Sequence, residues 1–367
     1  MNIYEQQAEN RKNTSILLVI FVCFFLIIGI GFDFFFLAWQ PPTVQLERVY
    51  DPLTATYSAK PVRKVYVPFG TLIALVVGFI GAFSGYRNGK RLVLASTGAR
   101  IANPSNPKEK VFINVVAEIA TAAGLPRPVA YIVPDPDPNA FATGTDPDDS
   151  VIAVTRGLLD VMTREELAGV VAHEMSHIRN YDVRLMTVLT ALVGSVNLIS
   201  GLISGNGRDA FGARRHSRVL SNYSAVKLSG NIISERISAK GALGNGKSGI
   251  HPYVIIVLFI IWLLLIILAP MLSTIIKMAV SRQREYLADA SAAELTRNPK
   301  GLISALEKIY AATGPTTSIG KGIAHLCIMD PRGSYMEERS GLAADAFATH
   351  PPMQKRILAL KAMAYIR

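Results

Sequence analysis

Four long apolar runs set the first limit on this chain. They are Ser15–Phe32 with its extension Phe34–Trp39, Tyr66–Tyr86, Leu185–Ser204 and Pro252–Val280. A helix needs roughly 18–20 apolar residues to cross the hydrocarbon core of a bilayer, and each run reaches that length. One such run fits a buried core helix equally well. Four of them, in a chain that is 50% hydrophobic, point to a multi-pass membrane protein. Trp39, Tyr66 and Tyr86 lie at run ends, where amphipathic rings favour the headgroup layer. Arg11 and Lys12 precede the first run, as they would in a signal peptide. The run is longer than a secretory apolar core and no small-residue cleavage site follows, so it reads as an uncleaved anchor.

The remaining composition is that of a globular domain. The net charge of +11 comes from basic residues that flank apolar runs or fill one loop. No nucleic-acid motif accompanies them, and nucleic acid is not an expected partner. The two cysteines, Cys23 and Cys327, are far apart, and Cys23 sits inside an apolar run. Neither a disulfide nor a thiolate metal site follows from them, which suits a reducing compartment.

Residues 1–14 form a polar lead, and 15–86 hold two expected membrane helices with a connecting loop. Residues 87–184 and 281–367 read as two parts of one folded region. Between them, 185–280 contain the third and fourth runs, joined by a basic, Gly- and Ser-rich loop at 205–251. Helical spacing of Val111, Val115 and Ile119 predicts a helix over 107–123, stopped by Gly124 and Pro126. Val129–Val133 and Val151–Val154 are strand candidates. Thr163 and Glu166 form a capping-box signature for the helix that follows. Two helices near 281–296 and 299–312 are expected next, the second with Asn298 as cap and Pro299 at its first position. A last helix is expected near 352–364.

The chemistry concentrates in His173-Glu174-Met175-Ser176-His177. On a helix, residues four apart share a face one turn apart, so both imidazoles reach one point. That pair suits Zn2+, and Glu174 on the adjacent edge can touch a water without being a ligand. A chance match in an amphipathic helix is the alternative. Two histidines and a water leave tetrahedral zinc one ligand short. Glu285 and Asp289, four apart on a later helix, offer a third ligand and an acceptor for a ligand's ring N–H. A solvated helix with an Arg/Glu pair fits the same residues. Asn180 and Asp182, just after the motif, fit either a place behind the ligands or ordinary helix-end positions, and the latter reading is preferred.

Four segments together resemble the HtpX-like membrane metalloproteases, relatives of the CAAX prenyl endopeptidases: the HEMSH helix, SRQREYLADA at 281–290, NAFATG at 139–144 and THPPMQKRI at 349–357. The order of the segments and of the apolar runs matches as well. The resemblance implies an α+β, mainly helical fold with a zincin-like (gluzincin) domain carried by several membrane helices. It implies one Zn2+ per chain held by His173, His177 and Glu285, with Glu174 as general base and Asp289 behind the ligands. His350 would help stabilise the oxyanion, with Arg356 in support; a cap on the last helix is the other reading of His350, which precedes two prolines. Asn139, Ala140, Phe141, Ala142 and Thr143 would form an edge strand that pairs with extended polypeptide substrates. A plain core strand is the other reading of that segment.

The resemblance further implies misfolded or damaged membrane proteins as substrates, a cell-membrane location in the lipid bilayer, and a cytoplasmic active site. His177 precedes the third run and Glu285 follows the fourth, so those two runs must return to the same side. Either they span, which puts the basic loop on the far side against the positive-inside tendency, or they pack into protein. Two rivals remain. A non-catalytic, zinc-containing membrane adaptor or assembly factor needs four protein ligands and no base. A CAAX prenyl endopeptidase needs more spanning helices.

Overall fold

The computed structural model describes residues 3–37, 45–51, 56–62, 67–203, 259, 262, 282–312, 323, 326–329 and 351–365. Its contacts divide the chain into two units. The larger, Met1–Ala213 with Leu268–Arg367, contains every element below. Within the smaller, Arg214–Ile267, the rings of Phe259 and Trp262 lie 5.8 Å apart. The whole loop at 205–251 and the rest of the fourth apolar run lie outside the described residues.

The expected polar lead and first apolar run form one helix, α1 (Ile3–Phe32), which ends in a π-helical turn at Asp33–Leu37. An antiparallel ribbon follows, β1 (Gln45–Asp51) against β2 (Thr56–Val62). This ribbon accounts for a loop longer than a helical hairpin needs. Helix α2 (Phe69–Thr97) returns along α1. Asp33 joins the two: its carboxylate accepts from the backbone N–H groups of Gly70 and Thr71 at 2.8 and 2.7 Å and from the Thr71 hydroxyl at 2.6 Å. It thereby caps the first turn of α2, for which the residue before the helix, Pro68, supplies no side-chain bond. The only acid in the first apolar run is thus satisfied inside the helix pair.

Among the described residues, two helices are long and apolar enough to cross a membrane, Glu5–Phe35 and Phe69–Thr97. A core helix of the same composition would be buried. Here Val19, Ile27, Ile30, Ile73, Phe79 and Phe83 are all exposed. So large an apolar surface requires an apolar environment. Helix α2 also runs past the expected polar boundary at Arg87 and stops only at Gly98, in the left-handed region with φ 63°. Lysine and arginine are good helix formers, so the change in charge marks a change of environment and not a helix end.

The mixed sheet has the order β3 (Arg100–Ile101), β4 (Val129–Val133), β6 (Val151–Thr155), β5 (Ala140–Thr143). β4 and β6 are parallel, and the outer pairs are antiparallel. Helix α3 (Pro107–Ala123) begins where the Asn106 side chain accepts from the N–H groups of Lys108 and Glu109, and ends at Gly124. A short helix, α4 (Arg156–Val161), leads to α5 (Arg164–Arg179), which starts with the complete Thr163–Glu166 capping box. Phe112, Val115 and Ile119 from α3, Ile152 and Val154 from β6, and Val170 and Met175 from α5 share one core.

Helix α7 (Arg282–Thr296) lies against α5, as does α8 (Pro299–Ala311). The fit of α5 on α8 is close at Gly169, where a Cβ would stand 2.9 Å from the Leu302 backbone. Glu166 adds a polar tie there: Ser304 donates to it at 2.5 Å and Lys308 at 2.7 Å. Burial raises its carboxyl pKa, but these donors outweigh that and hold it down to about 2. The last helix, α9 (Met353–Tyr365), packs on α7 and α8.

The third apolar run is the body of α6 (Asp182–Ile203). Its first half is covered by protein: Val188, Ala191 and Leu192 are buried against α1 and α2. The approach is close enough that a Cβ at Gly89 would meet the Thr187 methyl at 2.9 Å.

Candidate metal centre

Helix α5 holds His173, Glu174 and His177 within one turn and a half, and buries the first two to 1% exposure. Helix α7 crosses them and brings Glu285 and Asp289, both buried. The His173 and His177 Nε2 atoms are 3.2 Å apart. Glu285 Oε2 stands 3.5 Å from His173 Nε2, and Oε1 stands 3.6 Å from His177 Nε2. A tetrahedral ion with bonds of about 2.0–2.1 Å spaces its ligand atoms about 3.3–3.4 Å apart. The three side chains therefore already form the base of such a polyhedron. Among the described residues they form the His/Glu group suited to a metal ion.

Each histidine turns its other nitrogen to a carboxylate. His173 Nδ1 is 2.9 Å from Asp289, and His177 Nδ1 is 3.2 Å from Asp182. Such acceptors fix the ring and leave Nε2 facing the ion. Burial lowers the His173 pKa, but Asp289 and Glu285 outweigh it and raise the group to about 9 in the metal-free chain. Burial pushes Glu174 up, against the two histidines that pull it down.

The buried Arg356 of α9 completes the arrangement. Its Nε and Nη2 each donate to Asp289 at 2.8 Å, its Nη1 donates to the Ile328 carbonyl at 3.0 Å, and Nη1 lies 3.1 Å from Glu285. The sequence assigned Arg356 to the support of His350, which lies outside the described residues. Arg356 holds the two acids that face the histidines, a place behind the ligands. Together with His173 it keeps Asp289 ionised, with a pKa near 2 in spite of burial.

Asp182 departs from the sequence reading as an ordinary helix-end residue. Asn180 does cap α5. Tyr181 then takes φ 59°, a left-handed conformation that costs a non-glycine residue about 1–2 kcal/mol. That sharp joint starts α6 at once and turns Asp182 back onto His177. One signal was available: a ligand histidine needs an acceptor at its second nitrogen, and Asp289 can serve only one of the two.

The segment expected to bind substrate is an edge strand, as its place in the sheet requires. It is not bare. Phe141 bridges to Cys327, the Ala140 carbonyl accepts from Ile328 N–H at 2.9 Å, and the Asn139 side chain donates to the Met329 carbonyl at 3.1 Å. The alternation of a strand points the Ala142 main chain the same way as that of Ala140, outward. Ala142 lines the same cavity as Glu174, His177 and Cys327. The far end of the strand is fixed to α6 by a 3.0 Å hydroxyl bond between Thr143 and Thr187.

Peptidase family M48 matches residues 107–364. The chain belongs to peptidase family M48. It is 37% identical over 365 residues to the protease HtpX homolog of Thermoanaerobacter pseudethanolicus, covering 98% of each chain. To that of Streptococcus mutans it is 36% identical over 359 residues, covering 98% of this chain and 99% of the relative. A fainter likeness, with TM-score 0.41 and 17% identity, is to the crystal structure of S. mikatae Ste24p, covering 79% of this chain and 57% of that one. As an M48 peptidase with protease HtpX homologs as its relatives, the chain is a membrane metalloendopeptidase, and the two membrane-length helices among the described residues fit that reading.

Proposed function

We propose that this M48 peptidase is a zinc enzyme that cuts extended segments of misfolded or damaged membrane proteins. The observation that carries the reading is the triangle of His173, His177 and Glu285, whose 3.2–3.6 Å edges match tetrahedral zinc. One Zn2+ per chain would supply Lewis-acid activation of water and of the scissile carbonyl. Glu174 accepts the proton of the attacking water and returns it to the leaving amine. Its burial beside the ligands keeps the carboxylate close to that water and away from bulk solvent. Ala142, whose N–H faces Leu326 across the Phe141–Cys327 bridge, offers its main-chain carbonyl to one residue of the substrate, which favours an extended chain without regard to its sequence. A structural zinc site is disfavoured by three protein ligands and a neighbouring buried carboxylate.

The apolar faces of α1 and α2 support anchoring in a membrane; the cell membrane and a cytoplasmic site are what the resemblance to the HtpX-like proteases implies. A multi-pass topology adds the third and fourth runs, the third starting beside the site and the fourth ending near Glu285. Two variants test the chemistry. Glu174→Gln is expected to keep about one zinc per chain and to lose casein cleavage by about 10³-fold or more. Glu285→Ala is expected to lose most of the zinc. Wild-type cleavage by Glu174→Gln removes the mechanism, and full zinc in Glu285→Ala removes that ligand.

A further inference from the structure

We infer that Asn10, in the first turns of the membrane anchor, is a positioning residue for the metal centre, acting through Asp182 on His177. The residues before the first apolar run looked like a solvated lead. Yet Gln6, Asn10 and Thr14, on one face of α1, are buried, and Asn10 is only 1% exposed. A buried amide needs partners. The Asn10 Nδ2 group has two: it donates to the Asn180 carbonyl at 2.7 Å and to Asp182 Oδ1 at 2.8 Å. Both partners are acceptors, so the nitrogen and not the oxygen of the amide must face them. The other Asp182 oxygen, Oδ2, faces His177 Nδ1 at 3.2 Å. Arg284 approaches Oδ1 at 3.3 Å. Asn10 therefore fixes the rotation of the carboxylate that orients a ligand imidazole.

Neighbouring contacts land on the same short joint. Gln7 donates to the Arg179 carbonyl at 2.7 Å. The Arg11 guanidinium lies 4.3 Å over the Tyr181 ring, and that of Arg184 lies 4.9 Å from it. The start of α1 thus clamps Arg179–Asp182, where the left-handed Tyr181 turns the chain from α5 into α6. The anchor is part of the site's frame: the start of α1 holds the carboxylate that faces one of the three candidate ligands.

The inference rests on His177 being a ligand, and the experiment separates the two claims. The full chain in detergent is titrated with Zn2+ against a chelating dye, and the Co2+ form is read by its visible absorption. Loss of a partner just outside the ligands typically weakens metal binding 10–100-fold. Asn10 acts one bond further out, so Asn10→Ala is expected to weaken zinc about 3–10-fold and to shift the cobalt bands. Asn10→Asp, which sets a carboxylate against Asp182, is expected to weaken it more. Gln7→Ala loses a docking bond to the same joint but does not touch Asp182, and is expected to change zinc affinity less than about twofold. In an Asp182→Ala background, Asn10→Ala is expected to add nothing. Should Asn10→Ala not fold, Asn10→Ser, too short to reach Asp182, carries the same expectation. Wild-type zinc affinity and cobalt spectrum in the Asn10 variants would overturn the inference, as would an equal effect from Gln7→Ala. A wild-type chain that binds no zinc would remove the metal reading itself.

Discussion

Replacing Arg356 by leucine tests the electrostatic frame of the site. Arg356 is fully buried and meets Asp289 with two 2.8 Å bonds, Glu285 at 3.1 Å and the Ile328 carbonyl at 3.0 Å. Leucine fills part of the volume and leaves two buried carboxylates facing each other across His173. Breaking a buried pair by removing one partner costs about 3–5 kcal/mol, because the remaining charge is uncompensated. The pKa of Asp289 gives an independent scale. It is held down to about 2 from an ordinary 3.8. A depressed acid contributes stability above its unfolded pKa and loses it as pH falls through the folded value. That share, which Arg356 and His173 produce together, is about 2 kcal/mol, on the order of the stability at stake. Adding one lost bond to a buried carbonyl gives the lower end of the range. The assay is equilibrium urea unfolding of the chelated full chain in micelles, followed by helical circular dichroism at pH 7. Arg356→Leu is expected to lose about 3–5 kcal/mol. The double variant Arg356→Leu/Asp289→Leu is expected to lose less than the sum of the singles, since one orphaned charge is gone. A loss below about 1 kcal/mol, or strict additivity, would refute the reasoning.

Three further outcomes are expected. His173 is raised to about 9 in the metal-free chain, so at neutral pH zinc must displace a proton. Zinc affinity should therefore rise about tenfold per pH unit from 7 to 9 and then level, with about one proton released per zinc by calorimetry in buffers of different ionisation heat. Stability from that raised group is present below about 6.5 and lost as pH rises through 9, so the metal-free chain should unfold more easily at pH 9.5 than at pH 7. Ala142→Pro removes the outward main-chain donor that faces Leu326 and so disturbs the strand edge that offers the Ala142 carbonyl. It is expected to raise the Michaelis constant or abolish cleavage with zinc retained, while Ala142→Ser does much less; normal cleavage by a folded Ala142→Pro chain disposes of the pairing role. Asp33→Ala strips the cap from α2 and should lower stability by about 1–2 kcal/mol with zinc stoichiometry unchanged, read by unfolding in micelles.

Much of this was legible because its causes are local. The capping box at Thr163, the Asn106 and Asn298 caps and the stop at Gly124 each depend on a few neighbouring residues, and they lie where the pattern puts them. The two histidines and Glu174 were legible for the same reason, since helical spacing alone sets their shared face. What was not legible depends on contacts between distant segments. Arg356 could be tied to the site only through a family pattern, because nothing within α9 shows that it meets Asp289 on α7. Asp182 was misread because its role depends on the left-handed Tyr181, and no glycine marks that turn. The start of α1 looked solvated because a polar stretch before an apolar run usually is. Its burial follows from the return of α6 alongside α1, which no local pattern encodes.

The long insertion between α6 and α7 makes the metal centre an element of the fold as well as of the chemistry. His173 and His177 lie before it and Glu285 after it, so every contact between α5 and α7 closes a loop of that length. Closing a long loop costs entropy that grows only slowly with its length, so the insertion itself is tolerated. The ends must nevertheless be held together, and apolar contact supplies only part of that hold. On the face of α7 toward the site stand Glu285 and Asp289, two buried acids that would repel each other and lose their hydration without a compensating charge. They are kept there by charge: His173 when it is protonated, Arg356 in every state, and the metal ion when it is bound. The same three charges decide whether α7 stays on α5 and whether Glu174 has a water to act on. Loss of the metal should therefore loosen α7 before it loosens α3, α8 or the sheet, whose contacts do not depend on these charges.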